Sequence, residues 1–287
     1  MEFEENVPKV NKDRFLGICI VIAAVLITGT IIFTSRFPVA NGALSAKAIA
    51  SLEKAVLPED GIVLPVSWGD MGNRLVESGV IDQEKFGDMS VQENNGKLVI
   101  TKENEHTILN LLWAFGLGNK NDVLEKGPMM DPKYKGAGNF ASTGGWTLAK
   151  GDAMNHYSMH PFITLTPDQQ KLVEEVSKNI YRPCCGNSTY FPDCNHGMAM
   201  LGLLELMASQ GVSEADMYKA ALAVNSYWFP DTYVTIAQYL KSKGTDWKGA
   251  DPKGILAANF SSGAGFAKIK EQIAPIQQKS GGGGCGI

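Results

Sequence analysis

TPDQQKLVEEVSKNIYRPCCGNSTYFPDCNHGMAMLGLLELMASQGVSEADMYKAALAVNSYWFP, residues 166–230, decides the fold class, because it reads as three helices around one loop. Thr166 is placed to cap the first helix, with Pro167 in its first turn and Gln169 at the capping-box position. That helix should run to about Tyr181, since Pro183 disfavours helical geometry at Arg182. A second is expected to start at Asp193 or Asn195, to carry Met198, Leu201, Leu204, Leu206 and Met207, and to stop at Gln210 ahead of Gly211. Ser213-Glu214-Ala215-Asp216 starts a third that reaches Tyr227-Trp228-Phe229 before Pro230. The fold class that follows is mainly α, a helical domain with a three-helix unit around a cysteine-rich loop.

The loop between the first two helices gathers three of the five cysteines and one of the four histidines. Cys184, Cys185, Cys194 and His196 supply three potential thiolates and an imidazole, a set able to hold zinc, or copper as the softer Cu(I). Gly186, Pro183 and Pro192 keep the segment out of helix, so that its side chains can converge. Adjacent cysteines are an unusual zinc spacing, because neighbouring side chains diverge unless the backbone bends. A disulfide from Cys184 or Cys185 to Cys194 is the alternative, and it leaves an odd thiol and no role for His196. Thiol redox chemistry is a third reading of the same residues.

Arg182-Pro183-Cys184, Gly211-Val212-Ser213 and the closing run Tyr227-Trp228-Phe229 give this stretch a further meaning. Residues 166–230 resemble the periplasmic thiol subunit of cytochrome c maturation, in which a helix leads into a cysteine motif, followed by a helix, a Gly-x-Ser turn and a third helix. The resemblance implies a thiol–disulfide role in the maturation of envelope or cytochrome proteins. That family's two cysteines are separated by two residues, whereas here Cys184 and Cys185 are adjacent and Cys194 is distant. Its dithiol mechanism therefore does not carry over directly.

Upstream, Gly151-Asp152-Ala153-Met154-Asn155-His156-Tyr157-Ser158-Met159-His160-Pro161 holds a second candidate. If Asp152 caps a short helix, His156 and His160 share a face at i and i+4 and become additional ligands, with Met154 and Met159 beside them as thioethers that favour Cu(I). The bland alternative is that the two histidines cap or fill a short helix. No HExxH glutamate accompanies them, so a zinc hydrolase of that type is unsupported.

The N-terminus sets the compartment. Residues 15–33, FLGICIVIAAVLITGTIIF, carry no charge, and about 20 apolar residues are enough to cross a bilayer core of about 30 Å. The small-residue stretch lies farther on, at 40–50, which favours an uncleaved anchor over a signal peptide. Lys9, Lys12 and Arg14 precede the run, while Arg36 and Lys47 follow it, so the N-terminus is expected inside the cell membrane and the rest of the chain outside. The expected layout is a cytoplasmic tail at 1–14, a transmembrane anchor at 15–34, and a stalk helix or linker at 35–60. A helical part with a long Gly-rich loop follows at 61–165, then the Cys/His unit and C-terminal helices at 166–275. Thiols outside the membrane can oxidise, and Cys19, inside the anchor, reads as a small apolar filler.

Within 61–165, residues 63–86 read as a helical hairpin, residues 106–117 as an apolar helix stopped by Asn119-Lys120-Asn121, and residues 127–145 as an irregular loop. Lys97–Thr101 is the one strand-like run, expected as a lone edge or an extended connection. The chain closes with a Gly-rich tail at 276–287, a flexible tether whose Cys285 could act as a mobile ligand.

Composition excludes several function classes. A net charge of −4, with 26 Lys and Arg spread along the chain, gives no basic patch for nucleic acid. Glycines at 136–145 lack the lysine-serine pair of a phosphate loop, and no Ser/His/Asp spacing suggests a hydrolase. The expectation is a membrane-anchored protein that binds a transition metal through its Cys/His loop and handles or delivers it, with an envelope protein as partner and no assigned catalytic residue. A disulfide-stapled structural protein remains the third class.

Overall fold

A run of residues that is apolar on every side has to be buried on every side, and two such runs build the centre of this protein. The computed structural model describes residues 44–273. The helices and strands, in chain order, are α1 (Ala46–Val56), β1 (Ile62–Val63), α2 (Met71–Glu77), α3 (Gln83–Phe86), β2 (Glu93–Asn94), β3 (Lys97–Ile100), α4 (Glu105–Gly118) and α5 (Asp122–Lys126). Then come α6 (Pro167–Asn179), α7 (Asn195–Ser209), α8 (Glu214–Trp228), α9 (Pro230–Ser242), α10 (Pro252–Leu256), α11 (Ala258–Ser261) and α12 (Gly263–Lys270). The expectation of a mainly α protein holds. The tail at 1–14, the span at 15–34, Cys19 and the Gly-rich tail with Cys285 lie outside the described residues. Among the described residues no helix is long and apolar enough to cross a membrane.

Helices α4 and α7 are the two central runs. Every residue from Ile108 to Gly118 and from Asn195 to Ala208 is buried. They cross at Gly116 and Gly202, where a Cβ on Gly116 would stand 2.3 Å from the Met198 carbonyl and one on Gly202 would stand 2.6 Å from that of Leu112. With no side chain at the crossing, the flanking Leu112, Phe115, Met198 and Leu201 close over both backbones. Each side chain so buried contributes about 1.5–3 kcal/mol. Helices α6 and α8 pack against α7 from the outside, so the expected three-helix unit forms, with the expected second helix as its core. Residues 61–165 and 166–273 share this core and belong to one unit.

The caps of the outer helices follow the local rules. Thr166 Oγ1 accepts from the Gln169 amide at 3.3 Å, and Gln169 Oε1 accepts from the Thr166 amide at 2.9 Å, closing the capping box. Thr166→Ala is expected to lower stability by about 1 kcal/mol, measured by urea unfolding. Ser213 likewise caps α8, accepting from the Asp216 amide.

Two expectations need correction. Lys97–Ile100 is not a lone edge: it is the central strand of a three-stranded antiparallel sheet of order β1-β3-β2, with Ile62 opposite Ile100 and Glu93 opposite Leu98. Its partners are two residues long, too short to show a period of two. The stalk at 35–60 is no free-standing helix where it is described. Helix α1 packs on α9, its end is buried at Val56 and Leu57, and Tyr227 Oη donates to the Pro58 carbonyl at 2.8 Å. The Gly-rich loop is irregular as expected, built of short 3-10 turns. It is pinned by Trp113 Nε1 donating to the Ser142 carbonyl at 2.7 Å and lies beside the cysteine loop, where the Ser142 amide donates to the Asp193 carbonyl.

Helix α7 also carries Glu205 into the core with no exposure. Asn119 Nδ2 donates to its Oε2 at 2.6 Å, and its Oε1 has no partner. Burial pushes this carboxyl well above its ordinary value of 4.5, against the Asn119 hydrogen bond. A raised folded value means that the folded chain keeps a proton which the unfolded chain releases above about pH 4.5. Stability therefore falls as pH rises from there, by up to about 1.4 kcal/mol per unit. Glu205→Gln should match the wild type near pH 4 and exceed it increasingly from pH 5 to 8 in urea melts.

Candidate metal centre

Helix α6 ends at Asn179, with Ile180 as its C-cap, two residues short of the expected Tyr181. The chain then doubles back, the Thr189 amide donating to the Ile180 carbonyl at 2.8 Å. It enters α7 through Cys194, the N-cap residue, in extended geometry. The loop's cysteines are thereby held against the N-terminus of a fully buried helix, where the helix dipole favours negative charge.

The loop closes around Arg182, whose side chain is 2% exposed. Its Nε donates to Cys194 Sγ at 3.0 Å, Nη1 to the Asn187 carbonyl at 3.2 Å, and Nη2 to the Phe191 carbonyl at 3.0 Å and to Asp193 Oδ1. Asp193 Oδ2 in turn accepts from Asn187 Nδ2 at 2.9 Å. The guanidinium lies on the backbone of α7 at Gly197, where a Cβ would come within 2.6 Å of Cζ. Gly197→Ala is expected to push Arg182 off Cys194 and Asp193 and to cost about 2 kcal/mol in thermal or urea unfolding.

Around Cys194 two donor groups overlap. Ligand atoms of Cys184, Cys194 and His196 lie within 4.8 Å of one another, and so do those of Cys185, Asp193 and Cys194. Cys184 Sγ stands 3.8 Å from Cys194 Sγ, and all three cysteines are free thiols. Cys184 is exposed, Cys185 and Cys194 are half-buried, and His196 is buried. The histidine is wedged between Trp228 and Phe229, at ring-centroid distances of 5.6 and 4.5 Å. Its Nδ1 is buried without a hydrogen-bond partner.

Charge is distributed unevenly over these thiols. Hydrogen bonds from Cys184 and Cys185 hold Cys194 well below the usual thiol value; burial opposes this, and His196 and Arg182 add to the lowering. Hydrogen bonding to Cys185 and Cys194, and then burial, push the Cys184 thiol up. Burial works against the charge of Arg182, yet the neighbouring Cys194 and Cys185 raise its value. Of the three thiols Cys194 is the one most disposed to lose its proton, with the Arg182 guanidinium on one side and the Cys184 sulfur on the other.

The four residues expected as one ligand set thus separate. Cys184, Cys194 and His196 form a group that can hold a metal ion. Cys185 falls into the other group, with Asp193 in place of His196. Arg182 and Asp193, which complete the site, were not expected in it. A charged pair inside a loop is indistinguishable in sequence from two exposed charges.

The histidine pair does meet, by a different route. A 3-10 turn runs only from Ala153 to Asn155, with Asp152 accepting from the Met154 amide. Ser158 takes a positive φ of 55°, which breaks any helical face. His156 and His160 are therefore not at i and i+4 of a helix. Their rings stack at 5.3 Å with Nδ1 of His156 3.0 Å from Nε2 of His160, and His156 Nε2 sits 3.3 Å from the Lys150 carbonyl. Among the described residues neither histidine belongs to a group of three metal donors. Burial and the neighbouring His156 lower the value of His160.

In comparisons with known proteins, no family model, no curated protein and no solved structure matches the chain.

Proposed function

We propose that the chain binds a single transition-metal ion through Cys184, Cys194 and His196, and zinc in preference to copper. The observation that carries this reading is the 3.8 Å between the two sulfurs. Two thiolates on one tetrahedral zinc, at about 2.3 Å each, stand about 3.8 Å apart. A disulfide needs about 2.05 Å, and a linear ion would spread the sulfurs to the sum of two bond lengths. The buried Nδ1 of His196 has no hydrogen-bond partner, and an ion bound at that nitrogen would satisfy it.

Three protein ligands leave a fourth position, as in zinc sites that exchange a ligand. With Cys184 exposed, that suits a protein that receives and releases an ion, with an envelope protein as donor or acceptor. The uncharged run at 15–33 supports anchoring in a membrane with this domain outside. Cobalt(II) titration of the reduced full chain tests the binding. A tetrahedral d–d spectrum with sulfur-to-cobalt charge transfer is expected, and the weak spectrum of octahedral cobalt contradicts it.

The same sulfur contact favours a second reading, thiol–disulfide exchange in the maturation of another protein. Closing the 3.8 Å between the sulfurs to about 2.05 Å would pair Cys184 and Cys194. That reading predicts a Cys184–Cys194 disulfide in peptide maps of chain purified without reductant, and no cobalt spectrum after reduction.

A further inference from the structure

We infer that Arg182 decides which of the two overlapping donor groups takes the ion, directing it to Cys184, Cys194 and His196 and barring it from Cys185, Asp193 and Cys194. The inference rests on the metal-binding reading above. The two groups share Cys194 and have the same span, within 4.8 Å, so span alone does not separate them. What separates them is the guanidinium. In the barred group it touches two members, donating from Nε to Cys194 Sγ at 3.0 Å and from Nη2 to Asp193 Oδ1. The other carboxylate oxygen of Asp193 is held by Asn187 Nδ2 at 2.9 Å. Both oxygens are therefore engaged, and a cation entering there would have to displace a cation already paired. In the favoured group Arg182 touches Cys194 alone.

The guanidinium is built to stay. It is 2% exposed, its partners on the loop are two carbonyls, a carboxylate and a sulfur, and its seat on α7 exists because residue 197 is a glycine. A planar fork with five donors can hold that many differently placed acceptors at once, which a lysine ammonium cannot. Arg182 is a positioning residue: it touches one ligand and keeps the carboxylate beside it out of the ligand set.

Cobalt(II) bound to the reduced full chain provides the test, because charge-transfer intensity reports the number of thiolates and titration reports affinity. In the wild-type background Cys185→Ser is expected to leave the spectrum unchanged and affinity within about twofold, while Cys184→Ser lowers both. In an Arg182→Gln background Asp193 is released, and Cys185→Ser should then weaken binding at least tenfold. Arg182→Lys, which keeps the charge and loses the fork, should fall between the two. Circular dichroism identifies any variant that fails to fold. If Arg182→Gln does not fold, Cys185→Ser in the wild-type background decides: a tenfold loss or a reduced charge-transfer band there overturns the assignment. Cys185→Ser remaining silent in a folded Arg182→Gln chain overturns it as well. A wild-type chain that binds no cobalt overturns the metal reading itself, a result distinct from binding by the wrong group.

Discussion

Gly116→Ala is expected to destabilise the protein by about 3 kcal/mol or more, a large part of the 5–15 kcal/mol that holds an ordinary domain folded. The added methyl would stand 2.3 Å from the Met198 carbonyl and 3.0 Å from the Gly202 amide nitrogen. All the nearest atoms are backbone, so no side chain can swing aside, and α4 and α7 must separate. Separation opens the packing of Leu112, Phe115, Met198 and Leu201, all 1% exposed or less. It also moves the N-terminal turn of α7, on which Cys194, His196 and Gly197 sit. Urea unfolding should show a lower midpoint with an unchanged slope. Gly211→Ala is a useful contrast, because nothing lies within 4 Å of a Cβ there and its positive φ of 74° is the sole source of strain; a loss of about 1 kcal/mol is expected. Equal losses at the two positions would refute the close helix crossing.

Cys194→Ser is expected to reduce metal affinity by at least a hundredfold, the largest effect of any single change in the loop. Cys194 belongs to both donor groups, so no ion position survives its loss, whereas Cys184 and Cys185 each belong to one. Serine cannot supply a thiolate, and its weaker, harder oxygen is a poor partner for a soft ion. Arg182 Nε keeps an acceptor at residue 194, so the loop should still close. Isothermal titration with zinc on reduced chain, beside a circular dichroism melt, separates the two consequences: lost binding with a melting temperature within a few degrees of wild type. A variant that binds zinc as tightly as wild type would remove Cys194 from the site.

What could be read from residues alone was what is encoded locally. The caps at Thr166 and Ser213 depend on four consecutive residues, and both formed as the spacing predicted. The cysteine loop was legible as a site because Cys184, Cys185, Cys194 and His196 are close along the chain. Its internal order was not. Cys185 groups with Asp193 and not with His196, and Arg182 and Asp193 acquire their roles through burial, which no period or motif reports. The histidine pair shows the same limit: two residues spaced for a helix meet through a turn broken at Ser158. The sheet was illegible for a plainer reason, since β1 and β2 are two residues each. The crossing of α4 and α7 left a trace that could have been used. Both helices are apolar on nearly every side, and each carries two glycines, one of which, Gly116 or Gly202, lies at the crossing.

Elemental mass spectrometry on the full chain, purified under reducing conditions without chelator, reports directly on the binding of an ion by Cys184, Cys194 and His196. About one equivalent of zinc per chain is predicted for the wild type and for Cys185→Ser, and none for Cys194→Ser. A wild-type chain that is metal-free as purified and takes up neither zinc nor copper when either is added in excess would contradict it.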